Sequence, residues 1–499
     1  MFLRVSKQNS PAGTGAVLFL FFFLLVSGCT KHRAADQRGD DLLEAGHWKK
    51  QTLEDIIPPW TKHAIDPLDS SFFSTLDANW HPVADTIKYP SMIARNLFSY
   101  SVAYLLSGKE EYLTIATKTK NYLLSRAWDE QYGGWYDALN RQGDPHMKGK
   151  STFVQVYVIT GLAMYYFVTQ DQEVLDYVNR SNDLLEKNVW DGSRGGYYDD
   201  IARDWKVNTE VKSFASQLAP VSGYLLYMYL ATNDSKYLQQ AERISDVVLS
   251  HMIDPDTGWV LESFDKNWQY LPGKRGREEV NIGHNIETAW CLARLYRLNN
   301  REHYLKAATV LSDSLHRYGF NSATGFWYET IGNEDPTDHV DFTYWWIQAY
   351  GNMFDLYMAG VSKERRYVDH FLKGAAFWDR YFLDREKGDT HFSVFANGEV
   401  KDSRKANQYK AAYHNVEHGL LNHLYLGAWV NPTVLTLHFK IASAAQGDRL
   451  CPLPIESLNV RLGEVRINGE VHTPETSGDN RFITLPSLNN ASVSVTLHR

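Results

Sequence analysis

The chain has 499 residues and a formal net charge of −8, with 44% hydrophobic and 22% charged residues. This is an ordinary globular composition with enough apolar material for a large core. Basic residues form no block, which argues against a nucleic-acid partner. The 15 Trp, 30 Tyr and 23 Phe are typical of ring faces that line a groove and stack on sugars, although large helical cores also use them.

The N-terminus predicts a lipoprotein signal peptide over residues 1–28. Two basic residues precede an apolar run at 16–26 that is too short for an ordinary membrane-spanning helix. The run ends in Val26-Ser27-Gly28-Cys29, which resembles the bacterial lipobox. We therefore expect cleavage before Cys29, a lipid on its sulfur, a polar tether over 29–46 and a periplasmic or outer-membrane location in the cell envelope. A plain secretory signal is the alternative.

Glycine followed by aromatic residues recurs along the chain. Successive copies are 62, 62, 67 and 63 residues apart when they are aligned on one glycine. A further step of 62 towards the N-terminus reaches a similar aromatic loop at 72–73, so the sequence indicates six units, of which the first is degenerate. We expect hairpin loops in which glycine takes a positive φ. The aligned glycines are Gly134, Gly196, Gly258, Gly325 and Gly388.

Each unit contains two stretches of helical hydrophobic periodicity. In the clearest unit, 153–167 is apolar almost all round, as in a buried inner helix, whereas 172–188 is amphipathic, as in an outer helix. Six helix pairs predict an all-α fold, an (α/α)6 barrel over 47–429. An open superhelix of the same units is the alternative.

The hydrophobic pattern changes from helical to strand-like after Trp429. Alternating and β-branched patterns predict a small β module over 430–499, with Asn468-Gly469 as a hairpin turn. The module is either a structural brace on the barrel or a carbohydrate-binding appendage. Cys291 and Cys451 are far apart in sequence, and we expect them to be free. The predicted strands are 433–441, 460–468, 481–485 and 492–497.

Residues 281–290 carry the first candidate chemistry. His284, Glu287 and Trp290 are spaced i, i+3 and i+6 after a glycine, so a base, an acid and an aromatic wall share one face of a helix. A helix core rarely accommodates that combination, because a buried imidazole and carboxylate both need partners. The alternative is a His-Glu pair at a helix start, stabilised by the helix dipole.

A second cluster, Tyr413 to His418, formally matches the H-x-x-E-H pattern of inverted zincins. His414 and His418 lie on one helical face with Glu417 between them. No third ligand can be identified, so we do not expect zinc catalysis. His414 is instead a candidate acid or base, or a histidine that is hydrogen-bonded in the core.

Two further positions stand out for their surroundings. Trp345 and Trp346 follow a polar loop at a helix start, where they form either core or a sugar-stacking wall. Arg95 lies within an otherwise apolar inner helix, so its guanidinium must be paired or must face a cavity.

Together these motifs resemble the N-acylglucosamine 2-epimerase superfamily, which includes cellobiose 2-epimerases and aldose-ketose isomerases. The resemblance covers roughly 47–428 and implies an (α/α)6 barrel, in agreement with the repeat count. The matching segments, in the same order along the chain, are Arg95-x-x-Phe98-Ser99, 283–290, 345–349 and 413–415.

The resemblance also assigns roles. His284 and His414 match the catalytic histidines, Glu287 the acid beside the first, and Arg95 the arginine that holds the open-chain carbonyl. Removal of a proton α to an aldehyde needs a near-neutral base and a group that stabilises the enediolate oxygen. Return of the proton to C2 gives the epimer and return to C1 gives the ketose, with no metal or cofactor required. The matching sugar-stacking residues are Trp290 and Trp346.

Three departures from the cellobiose type bear on the substrate. Asn285 stands where those enzymes have Asp, Tyr350 where they have Glu, and Gln217 within a stretch that carries histidines there. We place all three among the substrate-binding residues. They imply an altered substrate, an altered outcome or lost activity.

The sequence therefore predicts a sugar 2-epimerase or aldose-ketose isomerase that acts on the reducing end of a mono- or oligosaccharide and is held at a membrane by its lipid anchor. A glycoside hydrolase or lyase is the first alternative, because helical rings also host those chemistries. A non-catalytic glycan-binding lipoprotein is the second. The sugar and the oligomeric state stay open. Carboxylates that could serve a hydrolase are Asp137, Asp200, Glu287 and Asp341.

Overall fold

The computed structural model describes residues 41–83, 87–272, 279–456, 460–477 and 481–499. The predicted signal peptide and Cys29 lie outside these ranges. From Ala45 to Val430 the described chain alternates between an outer and an inner layer of helices. The inner helices are Pro90–Ser107, Thr152–Thr169, 214–232 (Phe214–Pro220, Val221–Leu225, Leu226–Thr232), Ile282–Asn299, Trp345–Ser362 and Tyr413–Tyr425. The outer helices are 45–63 (Ala45–Gln51, Thr52–Ile56, Ile57–His63), Glu110–Tyr122, Gln172–Asn188, Ser235–Val247, Glu302–Ser314 and Arg365–Phe377.

Single π-helical turns extend several helices or interrupt them. They take up one extra residue, which is how a helix of fixed packing accommodates a local insertion. The turns are Thr52–Ile56, Leu123–Ala127, Val221–Leu225, Val248–Met252, Leu315–Gly319, Trp378–Phe382 and Leu426–Val430.

The six inner helices form a closed ring. Each packs on the next, and the last, Tyr413–Tyr425, packs on the first, Pro90–Ser107. The first outer helix completes the outer layer against the last inner helix, where His423 Nδ1 lies 2.8 Å from the carbonyl oxygen of Ala45. This closure confirms the (α/α)6 barrel and excludes the open superhelix.

Burial separates the two layers as the hydrophobic pattern predicts. Helix Thr152–Thr169 is buried almost all round, whereas Gln172–Asn188 buries one stripe that includes Val174, Val178 and Leu185. Helix Thr152–Thr169 is long and apolar enough to cross a membrane, but 89% of it is buried inside the barrel. An apolar core helix of that kind is sufficient to explain its composition.

The glycine-aromatic loops have the predicted positive φ, from 75° at Gly134 to 84° at Gly325. Each of four loops is held by a side-chain amide from the inner helix that follows it. Gln155, for example, accepts a hydrogen bond from Trp135 N at 2.8 Å and donates one to Trp135 O at 2.6 Å. The equivalent amides in the later units are Gln217, Asn285 and Gln348.

Short antiparallel strands connect these loops at the N-terminal ends of the inner helices. Some of them, such as Val211–Ser213 and Glu279–Asn281, lead directly into an inner helix, so sheet hydrogen bonds fix where that helix begins. These strands are Ile87–Lys88, Ala138–Asn140, Pro145–Met147, Asp200–Ile201, Val207–Thr209, Val211–Ser213, Ser263–Asp265, Glu279–Asn281, Phe320–Asn321, Phe326–Trp327, Thr330–Gly332, Phe342–Tyr344, Ser393–Phe395 and Val400–Asp402.

The C-terminal residues form the predicted β structure. One sheet has four antiparallel strands. Their order across the sheet is Leu435–Ala444, Leu488–His498, Arg461–Ile467 and Glu470–His472. The predicted hairpin turn is present, because Arg461–Ile467 and Glu470–His472 pair across Asn468 and Gly469, which have φ values of 51° and 86°. Cys291 and Cys451 are not joined to each other by a disulfide, and both are buried. The strands are Leu435–Ala444, Arg449–Leu450, Arg461–Ile467, Glu470–His472, Ile483–Thr484 and Leu488–His498.

These strands lie against the C-terminal ends of the inner helices. Strand Leu435–Ala444 packs on the first two inner helices. Glu456 enters the base of the barrel, where its Oε1 accepts a hydrogen bond of 2.9 Å from Arg294 Nε and its Oε2 one of 3.2 Å from Tyr357. Arg294 is fully buried and Glu456 nearly so. The C-terminal segment thus closes the end of the barrel opposite the helix N-termini.

Candidate active site

The N-terminal ends of the inner helices bring the two predicted catalytic histidines together around one tryptophan. The Trp346 ring lies 5.3 Å from the ring of His284 and 6.2 Å from the ring of His414, between centroids. Tyr350, one turn further along the same helix as Trp346, lies 5.3 Å from His414. We call this space, bordered by His284, His414 and Trp346, the chamber.

Local structure fixes His284 at the chamber wall. Strand Glu279–Asn281 leads straight into the helix, and Asn281 caps it by accepting a hydrogen bond of 2.9 Å from His284 N. Gly283 is necessary beside it, because a Cβ at that position would lie 2.3 Å from the Trp346 ring. The ring of Phe214 stacks on the imidazole at 4.1 Å with planes 17° apart.

Glu262 is the partner that sets the charge of His284. Both carboxylate oxygens lie 2.8 Å from Nδ1 of the histidine. Burial lowers the pKa of His284, but the negative charge of Glu262 outweighs it, and the net effect raises the pKa. The Glu262 contact also fixes the tautomer and directs Nε2 away from Glu262.

His414 has the opposite environment. Its side chain is 7% exposed and packs among aromatic rings, including Trp345 at 5.8 Å and Tyr413 at 4.7 Å. Burial and the nearby charge of Arg95 hold the pKa of His414 well below its ordinary value. This histidine is therefore neutral at physiological pH.

Arg95 is buried and has unused hydrogen-bonding capacity. Its guanidinium stacks over Tyr157 at 3.9 Å and donates through Nη1 to the carbonyl oxygen of Tyr409 at 2.6 Å. Its Nε is buried and finds no acceptor among the described residues. The prediction that this arginine is paired or faces a cavity is met by its contacts with Tyr409 and Tyr157.

Two buried carboxyl groups lie deeper in the barrel. Glu287 accepts a hydrogen bond from the Ser222 hydroxyl, and burial raises its pKa despite the neighbouring His284. Glu417 accepts hydrogen bonds from Tyr227 at 3.1 Å and Tyr350 at 3.3 Å, and burial raises its pKa to about 7. Both groups therefore hold a proton more readily than an exposed glutamate does.

The remaining predicted sugar contacts lie away from the chamber surface. Trp290 is buried one layer down, where its indole N–H donates to the Tyr425 hydroxyl at 3.3 Å. Trp345 is 2% exposed and packs on Phe392. Trp346, in contrast, is partly exposed at the chamber.

Gln217 and Asn285 are the loop-holding amides described above. Gln217 uses its carbonyl oxygen and its amide nitrogen on the backbone of Tyr197. Asn285 does the same with Val260, at 2.9 and 3.1 Å, and also donates to Asn281 O at 2.9 Å. Their polar atoms are thereby engaged by the protein backbone.

His418 does not share the surroundings of His414. It is fully buried between Trp48 and Trp378 at the interface with the outer layer, and its Nε2 lies 3.1 Å from Asn352 Nδ2. Burial lowers its pKa to about 3. One turn of helix places it about 6 Å deeper than His414.

Sequence reasoning assigned no role to Glu262 and Tyr157, and missed how Glu417 is used. Glu262 lies on the loop 22 residues before His284, and no helical or strand periodicity indicates that the two side chains meet. Tyr157 lies on an inner helix whose apolar pattern conceals its contact with Arg95. Such contacts between helices carry no local signal.

Known proteins share this sequence pattern. A family model for N-acylglucosamine 2-epimerase matches residues 71–417. The chain belongs to the N-acylglucosamine 2-epimerase family. It is 27% identical over 401 residues to the cellobiose 2-epimerase of Bacteroides fragilis, across 75% of this chain and 97% of that protein. It is 23% identical over 371 residues to the D-mannose isomerase of Marinomonas mediterranea, across 70% and 90%.

A solved relative has the same fold. The cellobiose 2-epimerase from Bacillus thermoamylovorans B4167 superposes with a TM-score of 0.70 at 21% identity, over 76% of this chain and 98% of that one. Family membership makes the protein a carbohydrate epimerase or isomerase, as the sequence predicts. The matched region ends before the C-terminal strands.

Proposed function

We propose that this epimerase-family protein acts on the reducing end of a mono- or oligosaccharide by proton transfer between the sugar and two histidines. The observation that carries the proposal is the opposed charge preference of the two histidines that lie beside Trp346. Glu262 favours the protonated form of His284, and burial favours the neutral form of His414. Paired groups whose pKa values are pushed apart divide into an acid and a base.

The chemistry follows from that division. Neutral His414 takes the proton from C2 of the open-chain aldose, and the C–H electron pair forms the C1=C2 bond of an enediolate. The charge that develops on O1 lies against the guanidinium of Arg95. Protonated His284 returns a proton to C2 from the other face, which inverts the centre. In the reverse direction the two histidines exchange roles.

A ketose results when the proton returns to C1 instead. The proton on O2 then moves to O1, so that the carbonyl lies at C2 and no atom is gained or lost. Glu287 is close enough to His284 to influence its charge, and we assign it to the relay of protons on that side. Trp346 supplies the ring face on which the sugar stacks.

Exchange with heavy water tests the proposal. The protein is incubated in D₂O with cellobiose, mannose and glucose, and the products are read by NMR. Deuterium at C2 with formation of the epimer identifies an epimerase, and deuterium at C1 with a ketose identifies an isomerase. His284→Asn and His414→Asn should each lower product formation by about 10²- to 10⁴-fold.

His251→Asn is the matched control, because this histidine stacks on Trp268 and lies outside the chamber. It should exchange deuterium as the wild type does. New reducing ends released from an oligosaccharide would instead indicate a hydrolase. Saturable sugar binding without exchange or cleavage would indicate a glycan-binding protein, and either result overturns the proposal.

We also propose that the protein is attached to the cell envelope by a lipid on Cys29. The support is the basic, apolar and Val26-Ser27-Gly28-Cys29 pattern of the N-terminus. Metabolic labelling with an alkyne fatty acid should mark the wild type, which should partition into the detergent phase. Cys29→Ser should remove the label, and a labelled Cys29→Ser protein would contradict the assignment.

A further inference from the structure

Outside the chamber, three side chains with metal-binding atoms converge between the two helical layers. Asp355 lies on inner helix Trp345–Ser362, His316 on the turn after outer helix Glu302–Ser314, and His370 on outer helix Arg365–Phe377. One ligand atom from each lies within 4.8 Å of the other two. The three residues belong to two successive repeat units, so their convergence is a product of the tertiary fold.

The hydrogen bonds of His316 leave a place for a proton or a metal ion between its second nitrogen and Asp355. Nδ1 lies 2.8 Å from the carbonyl oxygen of Ser312 and must carry a hydrogen. Nε2 lies 2.7 Å from Oδ1 of Asp355. With neutral histidine and an ionised Asp355, two lone pairs would face each other in the interior, so a proton or a metal ion must be associated with Nε2.

Asp355 and His370 each have a buried polar atom that an ion pair between His316 and Asp355 does not use. Oδ2 of Asp355 is buried and accepts no hydrogen bond from the described residues, and Asp355 is fully buried. Nδ1 of His370 is also buried and has no partner in the described part of the chain. A buried carboxylate that uses only one of its oxygens is costly.

We propose that His316, Asp355 and His370 bind a divalent transition metal of the zinc class. Two imidazole nitrogens and one carboxylate oxygen are a recognised zinc ligand set, with a fourth position for water. The Ser312 carbonyl supplies the outer hydrogen bond that orients His316, as metal-bound histidines require. All three ligands come from packed helices, which restricts their movement.

Small side-chain rotations complete the geometry. Ligand atoms on a tetrahedral zinc ion are about 3.3 Å apart, since each bond is about 2.0–2.2 Å, so the contact between His316 and Asp355 must widen slightly. The ring of His370, which stacks on His316 at 4.1 Å, must turn about its Cβ–Cγ bond. His370 is only partly buried, which leaves room for that turn.

The bound metal ion would have a structural role. Asp355 shares its helix with Trp346 and Tyr350 of the chamber, and the bound ion would join that helix to two outer helices. This role rests on the contacts of the three ligands alone and does not depend on the proposed sugar chemistry.

Metal binding by the full-length protein tests the inference. After treatment with a chelator, the protein is dialysed against Zn²⁺ or Co²⁺ at micromolar concentration. We expect one equivalent of bound metal by elemental analysis, visible absorption of tetrahedral Co²⁺, and an increase in Tm of about 3 °C at saturating Zn²⁺.

Asp355→Asn and His370→Gln should lose the bound equivalent, the Co²⁺ absorption and the increase in Tm. His303→Gln is the matched control, because His303 lies 3.5 Å from Asp246 on the exposed surface. Because Asp355 is buried and its variant can misfold, the partly exposed His370 variant decides the result. A wild type that binds no metal, or a His370→Gln protein that binds as much as the wild type, overturns the inference.

Discussion

Glu262 holds His284 through both of its carboxylate oxygens, each 2.8 Å from Nδ1. Glu262 lies on the loop that precedes the helix of His284, and the pair lies at the chamber mouth with 34% of the Glu262 side chain exposed. This bond fixes the tautomer of His284 and favours its protonated form. The charge of the proposed acid is thus set by a residue on the loop before its own helix.

Glu262→Gln should lower kcat about 100-fold and change its pH dependence. The carboxylate raises the pKa of His284, so the acid form is present below that pKa and is lost as the pH rises through it. Without Glu262 the pKa falls, and the alkaline limb of the kcat profile moves to lower pH. The profile is measured in one reaction direction by initial rates of epimer formation.

Glu210→Gln is the control for Glu262→Gln, because Glu210 pairs with Lys266 on the exposed surface. Its profile should match the wild type. An unchanged alkaline limb in Glu262→Gln would show that His284 does not owe its charge to Glu262.

Asn285→Asp should destabilise the protein by about 1–3 kcal/mol. The change keeps the shape but replaces the amide N–H donors with an oxygen that faces the carbonyl oxygens of Val260 and Asn281. Urea unfolding measures the effect. Asn188→Asp is the control, since the half-buried Asn188 makes one hydrogen bond, to Leu184 O at 2.9 Å. A variant of full stability and higher activity would instead identify position 285 as a catalytic carboxylate position.

The hydrogen-bonding role of Asn285 could not be predicted from the sequence. The repeat count, the closed barrel and the positive-φ glycines were predictable, because a period of 62–67 residues and the glycine-aromatic pattern are local signals. The amide positions 155, 217, 285 and 348 recur at a similar period. Their hydrogen-bond partners are backbone groups that lie 20 to 25 residues away. The side chains at the partner positions do not indicate that these hydrogen bonds form. A residue assigned to the substrate therefore holds a loop.

The second histidine motif shows a related limit. The i, i+4 spacing correctly places His414 and His418 near one face of a helix. Depth along the barrel axis separates their surroundings, because His414 borders the chamber and His418 meets Trp48 of the first outer helix. That helix is more than 350 residues away in sequence. A spacing rule for one helix contains no information about such a partner.

Glu456→Gln should destabilise the protein by about 3–5 kcal/mol, because it leaves the charge of fully buried Arg294 without a counter-ion. The measurement is urea unfolding at pH 7. Glu464→Gln removes a surface pair with Arg466 and should cost no more than about 1 kcal/mol. Arg294→Met combined with Glu456→Leu should recover most of the loss, since no buried charge remains. Equal stability of Glu456→Gln and the wild type would contradict the role of this ion pair.

Stability should decrease as the pH falls from 6.5 towards 4. Burial lowers the pKa of His418 to about 3 and that of His423 to about 4. Both are neutral when folded, whereas the unfolded chain binds their protons below about pH 6.5, so each removes about 1.4 kcal/mol per pH unit. Glu417, with its pKa raised to about 7, takes up its proton first in the folded state and offsets one histidine down to about pH 4.5. Stability still decreases overall, because the pKa values of His370 and His414 are lowered as well.

Urea unfolding at half-unit steps of pH measures this slope. His418→Gln should remove the contribution of one histidine and reduce the slope by about 1.4 kcal/mol per pH unit. His303→Gln alters an exposed histidine and should leave it unchanged. An equal slope in His418→Gln and the wild type would show that His418 is not the titrating group.

The contact between Ala45 and His423 joins positions 378 residues apart. During synthesis the first outer helix leaves the ribosome long before the inner helix that covers its apolar side. Its buried Trp48 packs on Phe371 and His418, which are both made late in synthesis. Pairing over such a distance is slow and leaves the nascent chain prone to aggregation. The barrel can be sealed only after nearly the whole polypeptide has been made, so early units must persist as open, incomplete arcs.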